Sequence, residues 1–232
     1  PRLHGGGQLN RGNWETELPM LSGHARPETI HDFSGFPREL YSLRYAANGD
    51  PALAQRTAML LRDACIAASI NGRRGLDHGA WVPLRHMYPD ASVPVVQLSV
   101  QPSLGTRAHL AMGAALTPLA AEGVLIIGSG HVTHNLGDWI QSQGVTQPIP
   151  YVVAFAEWLH DKLVANDREA VLDYRHTRAD AARAHPSEEH FLPLFVAWGA
   201  AGANASASRV YRGLEGAALS MDAYRFGDRQ VT

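Results

Sequence analysis

Apolar positions along the chain fall into two alternating kinds of run. Pro94-Val-Val-Gln-Leu-Ser-Val100 and Gly123-Val-Leu-Ile-Ile-Gly128 are short, rich in β-branched residues and bounded by proline or glycine, the pattern of buried strands. Between them Leu104–Glu122 carries Leu110, Met112, Ala115, Leu116 and Leu119 at near-helical spacing, and Pro51–Ile70 ahead of them has the same character. Strand, helix, strand in that order predicts a βαβ unit and an α/β fold: a sandwich whose central, mostly parallel or mixed sheet is flanked by helices. Further helices are expected at Val152–Asn166, where Phe155, Trp158, Leu159 and Leu163 share a face, at Arg168–Asp173 and at Glu188–Gly199. The Gly- and Ala-rich stretch 197–207 reads as a flexible loop, and Gly216–Arg225 as a returning edge strand. Neither an internal repeat nor a shift of composition marks a boundary, so residues 1–232 are read as one domain.

Composition narrows the class. Apolar residues make up 45% of the chain and charged residues 18%, which supplies a core and excludes dominant disorder. A net charge of -2, with no run of Lys or Arg, removes the electrostatic footprint of a general nucleic-acid binder. The longest apolar stretches fall far short of the ~20 residues that cross a bilayer, so a membrane partner is not expected. Cys65 stands alone in the sequence, cannot form an internal disulfide and fits a reducing compartment, the cytoplasm. Its helical surroundings predict a small buried apolar side chain. No signal peptide is visible, and the chain begins at Pro1 without a methionine.

Histidine is the outlier, at twelve residues against a single lysine, Lys162. Imidazole is the commonest protein metal ligand and the usual acid–base at neutral pH. Four histidine-bearing segments stand among turn-forming residues: Leu3-His4-Gly5-Gly6-Gly7, Ile30-His31-Asp32-Phe33, Leu76-Asp77-His78-Gly79-Ala80-Trp81, and Gly128-Ser129-Gly130-His131-Val132-Thr133-His134. A fifth, His185-Pro-Ser-Glu-Glu-His190-Phe-Leu-Pro193, opens a helix. Ligands of α/β sheets bind at the carboxyl ends of strands, which is where His131 and His134 fall, just after the apolar run 123–128. Gly5–Gly7 has the glycine content of a phosphate cradle, but neither a preceding strand nor a following Lys-Ser/Thr supports that use. His24, His86, His109, His160, His176 and His185 read as ordinary hydrogen-bonding side chains.

Together these segments resemble the class III extradiol ring-cleaving dioxygenases, in the branch that includes 4,5-DOPA dioxygenase. The resemblance runs from Trp14 to Phe226. It is carried by Arg26-Pro-Glu-Thr-Ile-His-Asp-Phe33 with Gly35-Phe-Pro37, by Asp77-His-Gly-Ala-Trp81, and by Tyr88-Pro89 with Pro94-Val-Val-Gln-Leu-Ser99. Ser129-Gly-His-Val-Thr-His-Asn-Leu136 and Glu189-His-Phe-Leu-Pro-Leu194 complete it. It implies a mononuclear non-haem Fe(II) site, with Zn(II) sometimes in its place. His4, His134 and His190 match histidines at the metal, His134 as a ligand or as the base. Asn13 stands where the family's Ser-Ala-His-Trp-Glu type motif has its histidine, and only eight residues separate it from His4, where the family has a longer segment. The strand expected before His4 is likewise absent from the sequence.

The chemistry implied is the opening of a catechol ring by O2 to a muconic semialdehyde-type product. His134 is then the candidate base and His78 the candidate acid or holder of the substrate hydroxyl. His31 and His131, with Phe36 and Trp81 as aromatic walls, are the expected substrate contacts. Two other classes use the same residues: a zinc-dependent hydrolase, and a catalytically inactive relative acting as a binding protein.

Overall fold

The structure, a computed structural model, describes residues 14–227, and these divide into two compact units, one up to Gln101 and one from Pro102. His4 and Asn13 lie outside the described residues.

In the first unit β1 (Met20–Ser22) is followed by the short helix α1 (Arg38–Tyr41), then by α2 (Pro51–Asp63), β2 (Ser69–Asn71) and α3 (His78–Met87). The Asp50 carboxylate caps α2 by accepting from Leu53 N at 2.9 Å, Pro51 pre-sets its first turn, and Ala54, Thr57, Ala58 and Leu61 form its buried face. The sequence pattern carries this helix to Ile70, but it stops at Asp63. Cys65 takes a left-handed φ of 60° and Ile66 N turns back to Leu61 O at 2.8 Å, which closes the helix. Cys65 is therefore exposed, not buried as its neighbours suggested. The early stop frees Ser69–Asn71 to pair in parallel with β1, Leu21 opposite Ile70.

The expected central strand at 94–100 runs beside β1 but forms no ladder with it, only the isolated bridge of Leu21 with Leu98. Serine hydroxyls explain the broken ladder. Ser22 Oγ accepts from Gln97 N at 2.8 Å and Ser99 Oγ from Met20 N at 2.9 Å, positions a regular ladder would give to carbonyls. The core of this unit gathers Phe33, Tyr45, Ala47, Leu76 and Trp81.

In the second unit the amphipathic run 104–122 forms two helices, α4 (Gly105–Ala115) and α5 (Thr117–Ala121), because Pro118 suits a first turn and not a helix interior. The run 123–128 forms no strand: among the described residues nothing pairs with it, and Leu125 and Ile127 are exposed. There follow α6 (Leu136–Gln141), α7 (Pro150–Val164), α8 (Arg168–Leu172), α9 (Tyr174–Thr177), α10 (Ala181–Ala184) and α11 (Leu192–Ala200). The helix expected from Glu188 thus begins at Leu192 and continues into the stretch read as a loop. Antiparallel pairs β3 (Ala207–Tyr211) with β6 (Ala223–Phe226) and β4 (Leu214–Glu215) with β5 (Leu219–Ser220) replace the single edge strand. Phe155, Leu159, Leu163, Tyr174, Phe191, Phe195 and Trp198 fill the core. The fold is mixed α/β, with its strands in short two-stranded pieces. Among the described residues no helix is long and apolar enough to cross a membrane.

Candidate metal centre and aromatic pocket

The second unit brings three histidines together. Each of His131, His134 and His190 offers a ring nitrogen, and these atoms all lie within 4.8 Å of one another. The rings of His134 and His190 are 3.5 Å apart between centroids, and His131 lies 4.9 Å from the first and 5.7 Å from the second. His134 and His190 are almost wholly buried.

Backbone bonds hold this geometry. Gly128 and Gly130 let the loop lie directly on the start of α11: a Cβ on Gly130 would stand 2.1 Å from His190 O, and one on Gly128 2.3 Å from Pro193 O. His131 N then donates to His190 O at 2.9 Å, Val132 N to Ser220 O at 3.1 Å and His134 N to Ala184 O at 2.8 Å. Thr133 Oγ1 donates to Ala218 O at 2.9 Å and accepts from Ser220 N at 2.8 Å, tying the loop to β5. Asn135 ends the loop by capping α6 through Asp138 N at 2.9 Å. On the other side, Glu188 takes hydrogen bonds from Tyr174 OH and Arg175 Nε, each at 2.8 Å, which fixes the turn before His190.

His185, read from sequence as an ordinary side chain, is part of this frame. It is fully buried, stacks on Phe191 at 4.5 Å, and its Nε2–H donates to Val132 O at 2.8 Å. Burial pushes its pKa down to about 3. His109 is likewise buried, its Nδ1–H held by Gly105 O at 2.7 Å. Burial, reinforced by the neighbouring His190 and His131, lowers His134 to about 2 and keeps it neutral. Neutral imidazole is the form that binds metal, and imidazole suits Fe(II) and Zn(II). Two nitrogens each about 2.1 Å from one ion lie at most about 4.2 Å apart, so small ring rotations inward bring this donor set to a common ion. A buried carboxylate stands close by: Glu189 Oε1 is 3.7 Å from His190 Nε2 and accepts from Ser187 Oγ at 2.9 Å. The residues present fit such a metal.

The other histidines of interest lie in the first unit. Phe33, Phe36, Leu40, Leu43, His78, Trp81, Val82, Arg85 and His86 line a cavity of about 420 Å³. His78 was expected on a loop; it opens α3, which buried Asp77 caps by accepting from Ala80 N at 3.2 Å. Gln97 Nε2 at 2.5 Å and Arg74 Nη2 at 3.2 Å satisfy the other Asp77 oxygen. His78 Nδ1 must carry the proton it shares with Asp32 Oδ1, 2.7 Å away, because a carboxylate only accepts; Nε2 is left for exchange. Burial raises the Asp32 carboxyl, but the His78 side-chain and backbone bonds outweigh it and hold the group below its ordinary value. Phe36 and Trp81 line this cavity. His31 does not: its Nε2–H donates to Leu43 O at 3.0 Å, and its ring packs behind the wall, 5.7 Å from both Phe33 and Trp81.

Sequence reading paired His134 with His190 but gave His131 to the substrate, whereas the three rings form one cluster. It also missed Asp32 as the partner of His78, Asp77 as the cap, and His185 and Glu189. The only local signal was an Asp-His step at 77–78, a common helix start.

Residues 11–221 match the model of the family described as the catalytic LigB subunit of aromatic ring-opening dioxygenase, and the chain belongs to this family of class III extradiol dioxygenases. It is thus an extradiol aromatic ring-opening dioxygenase. It is 44% identical over 216 residues to the 4,5-DOPA dioxygenase extradiol of Beta vulgaris, covering 92% of this chain and 80% of that one. Against the protein of the same name from Escherichia coli K12 it is 35% identical, covering 93% of this chain and 79% of that one. The fold is similar to the crystal structure of an uncharacterized protein from Escherichia coli K12, with a TM-score of 0.76 and 30% identity, over 92% of this chain and 82% of that one.

Proposed function

We propose that the protein is a non-haem Fe(II)-dependent dioxygenase that opens a catechol of the DOPA type to a muconic semialdehyde-type product, with both atoms of O2 entering the product. The convergence of imidazoles around His134 and His190 carries this reading. His134 and His190 would hold the ion. When bound, it supplies Lewis acidity toward the catechol hydroxyls and one-electron chemistry toward O2. Zn(II) fits the same donors but supplies only the first of these. We assign His134 as a ligand because its ring lies 3.5 Å from that of His190 and one of its nitrogens falls within the same cluster.

His78 is the acid–base residue. With Nδ1 anchored on Asp32, its Nε2 is left to take up and return a proton. Asp32 holds the tautomer and balances the imidazolium. Phe36 and Trp81 line an apolar cavity of the first unit that can take an aromatic ring. O2 and the catechol together contain every atom of the product, so no external reductant is needed.

The test is to load the protein anaerobically with Fe(II), add L-DOPA or a simpler catechol, admit O2, and follow yellow product and oxygen uptake. One O2 consumed per ring opened is the expected result. No product from protein with a full iron complement defeats the proposal.

A further inference from the structure

Resting on that reading, we infer that His131 is itself a metal ligand, so that the second unit alone supplies three imidazoles to one ion. Three observations meet here. One ring nitrogen from each of His131, His134 and His190 lies within 4.8 Å of the others, a spacing that one ion can draw together. The His131 backbone is bonded to the carbonyl of His190 itself, N to O at 2.9 Å, so these two residues are positioned by a single contact and keep their spacing together. Gly130 allows that contact, since any Cβ there would meet the His190 carbonyl at 2.1 Å. The loop is anchored at Val132, Thr133 and His134 as well, which makes the set rigid before metal arrives.

The ligand class is a divalent ion that prefers nitrogen donors, Fe(II), Co(II) or Zn(II), and not a hard oxygen-seeking cation such as Mg(II) or Ca(II). Three protein nitrogens leave further coordination positions for a bidentate diol. The buried carboxylate of Glu189, 3.7 Å from His190 Nε2, offsets part of the ion's charge without joining the cluster.

Co(II) is the probe, because its visible bands report coordination without any turnover. The metal-free full chain is titrated anaerobically with CoCl2 beside H131A, H131C and the exposed-site control H176A. H131A is expected to lose affinity by about tenfold or more, while H176A keeps it. H131C is expected to bind and to show a thiolate-to-cobalt charge-transfer band that the wild-type chain, with only Cys65, lacks. Wild-type affinity and spectrum in H131A overturn the inference, as does a cobalt complex of H131C without that band, which decides the matter even where H131A does not fold. Failure of the wild-type chain to bind Co(II) overturns it too. Ring opening is scored separately: cobalt binding through residue 131 without catechol cleavage by the iron-loaded chain defeats the proposed function alone, and cleavage with an intact H131A metal site defeats this inference alone.

Discussion

Replacing Gly130 by alanine tests how the site is built. The added Cβ would stand 2.1 Å from His190 O and 3.1 Å from its carbonyl carbon. Ordinary carbon–oxygen approach is about 3.3 Å, so the loop must retreat by roughly 1 Å. The obstacle is backbone, which cannot swing aside as a flexible side chain would. Retreat breaks the 2.9 Å bond from His131 N to His190 O, worth about 1 kcal/mol net, and overpacking adds about 1–3 kcal/mol. The expected destabilisation is therefore about 2–4 kcal/mol. The same retreat separates His131 and His134 from His190, so Co(II) affinity should fall by about tenfold or more. Urea unfolding of the metal-free protein and cobalt titration measure the two effects, with Gly72→Ala as control because nothing lies within 4 Å of its added carbon. If Gly130→Ala is within about 0.5 kcal/mol of that control and binds cobalt normally, the close-approach argument is wrong.

Other expectations follow from the same contacts. His185 stays neutral in the fold down to about pH 3, whereas its unfolded counterpart protonates below 6.5, so the unfolded state binds the extra proton and stability falls as pH drops through that window. Its share is about 1.4 kcal/mol per pH unit, or roughly 2 kcal/mol between pH 6.5 and 5. His185→Phe should flatten the slope measured by urea unfolding while costing about 1–3 kcal/mol at pH 7.5, because Val132 O loses its donor; an unchanged slope would refute the assignment. His78→Gln should cut turnover by about 100- to 10,000-fold with metal content unchanged, and Asp32→Asn should cut it less. Full activity in iron-loaded His78→Gln removes that residue from the mechanism. Asp77→Ala should lower stability by about 2 kcal/mol, since it uncaps α3 and strands the Gln97 amide; thermal melts that match wild type would show the cap to be dispensable.

Much of this protein is legible in its residues alone. The helical faces of α2 and α7 follow from apolar spacing because a helix must bury one stripe, and the family follows from ordered motifs that need no coordinates. His134, His190, His78, Phe36 and Trp81 could be singled out because the segments that carry them resemble the family's ordered motifs. What the residues could not give is any relation fixed by distant chain segments. An apolar run such as 123–128 has the composition of a strand, yet a strand exists only where another backbone accepts its hydrogen bonds. The hydroxyls of Ser22 and Ser99 intercept such bonds from positions 75 to 79 residues away. The pairing of Asp32 with His78 spans 46 residues, and His185 with Val132 spans 53. The sequence determined the family and a set of candidate side chains. Tertiary structure decided which of them meet, placing His131 with His134 and His190 and His31 behind its pocket wall, because ring-to-ring distance depends on the backbone contacts of two loops at once.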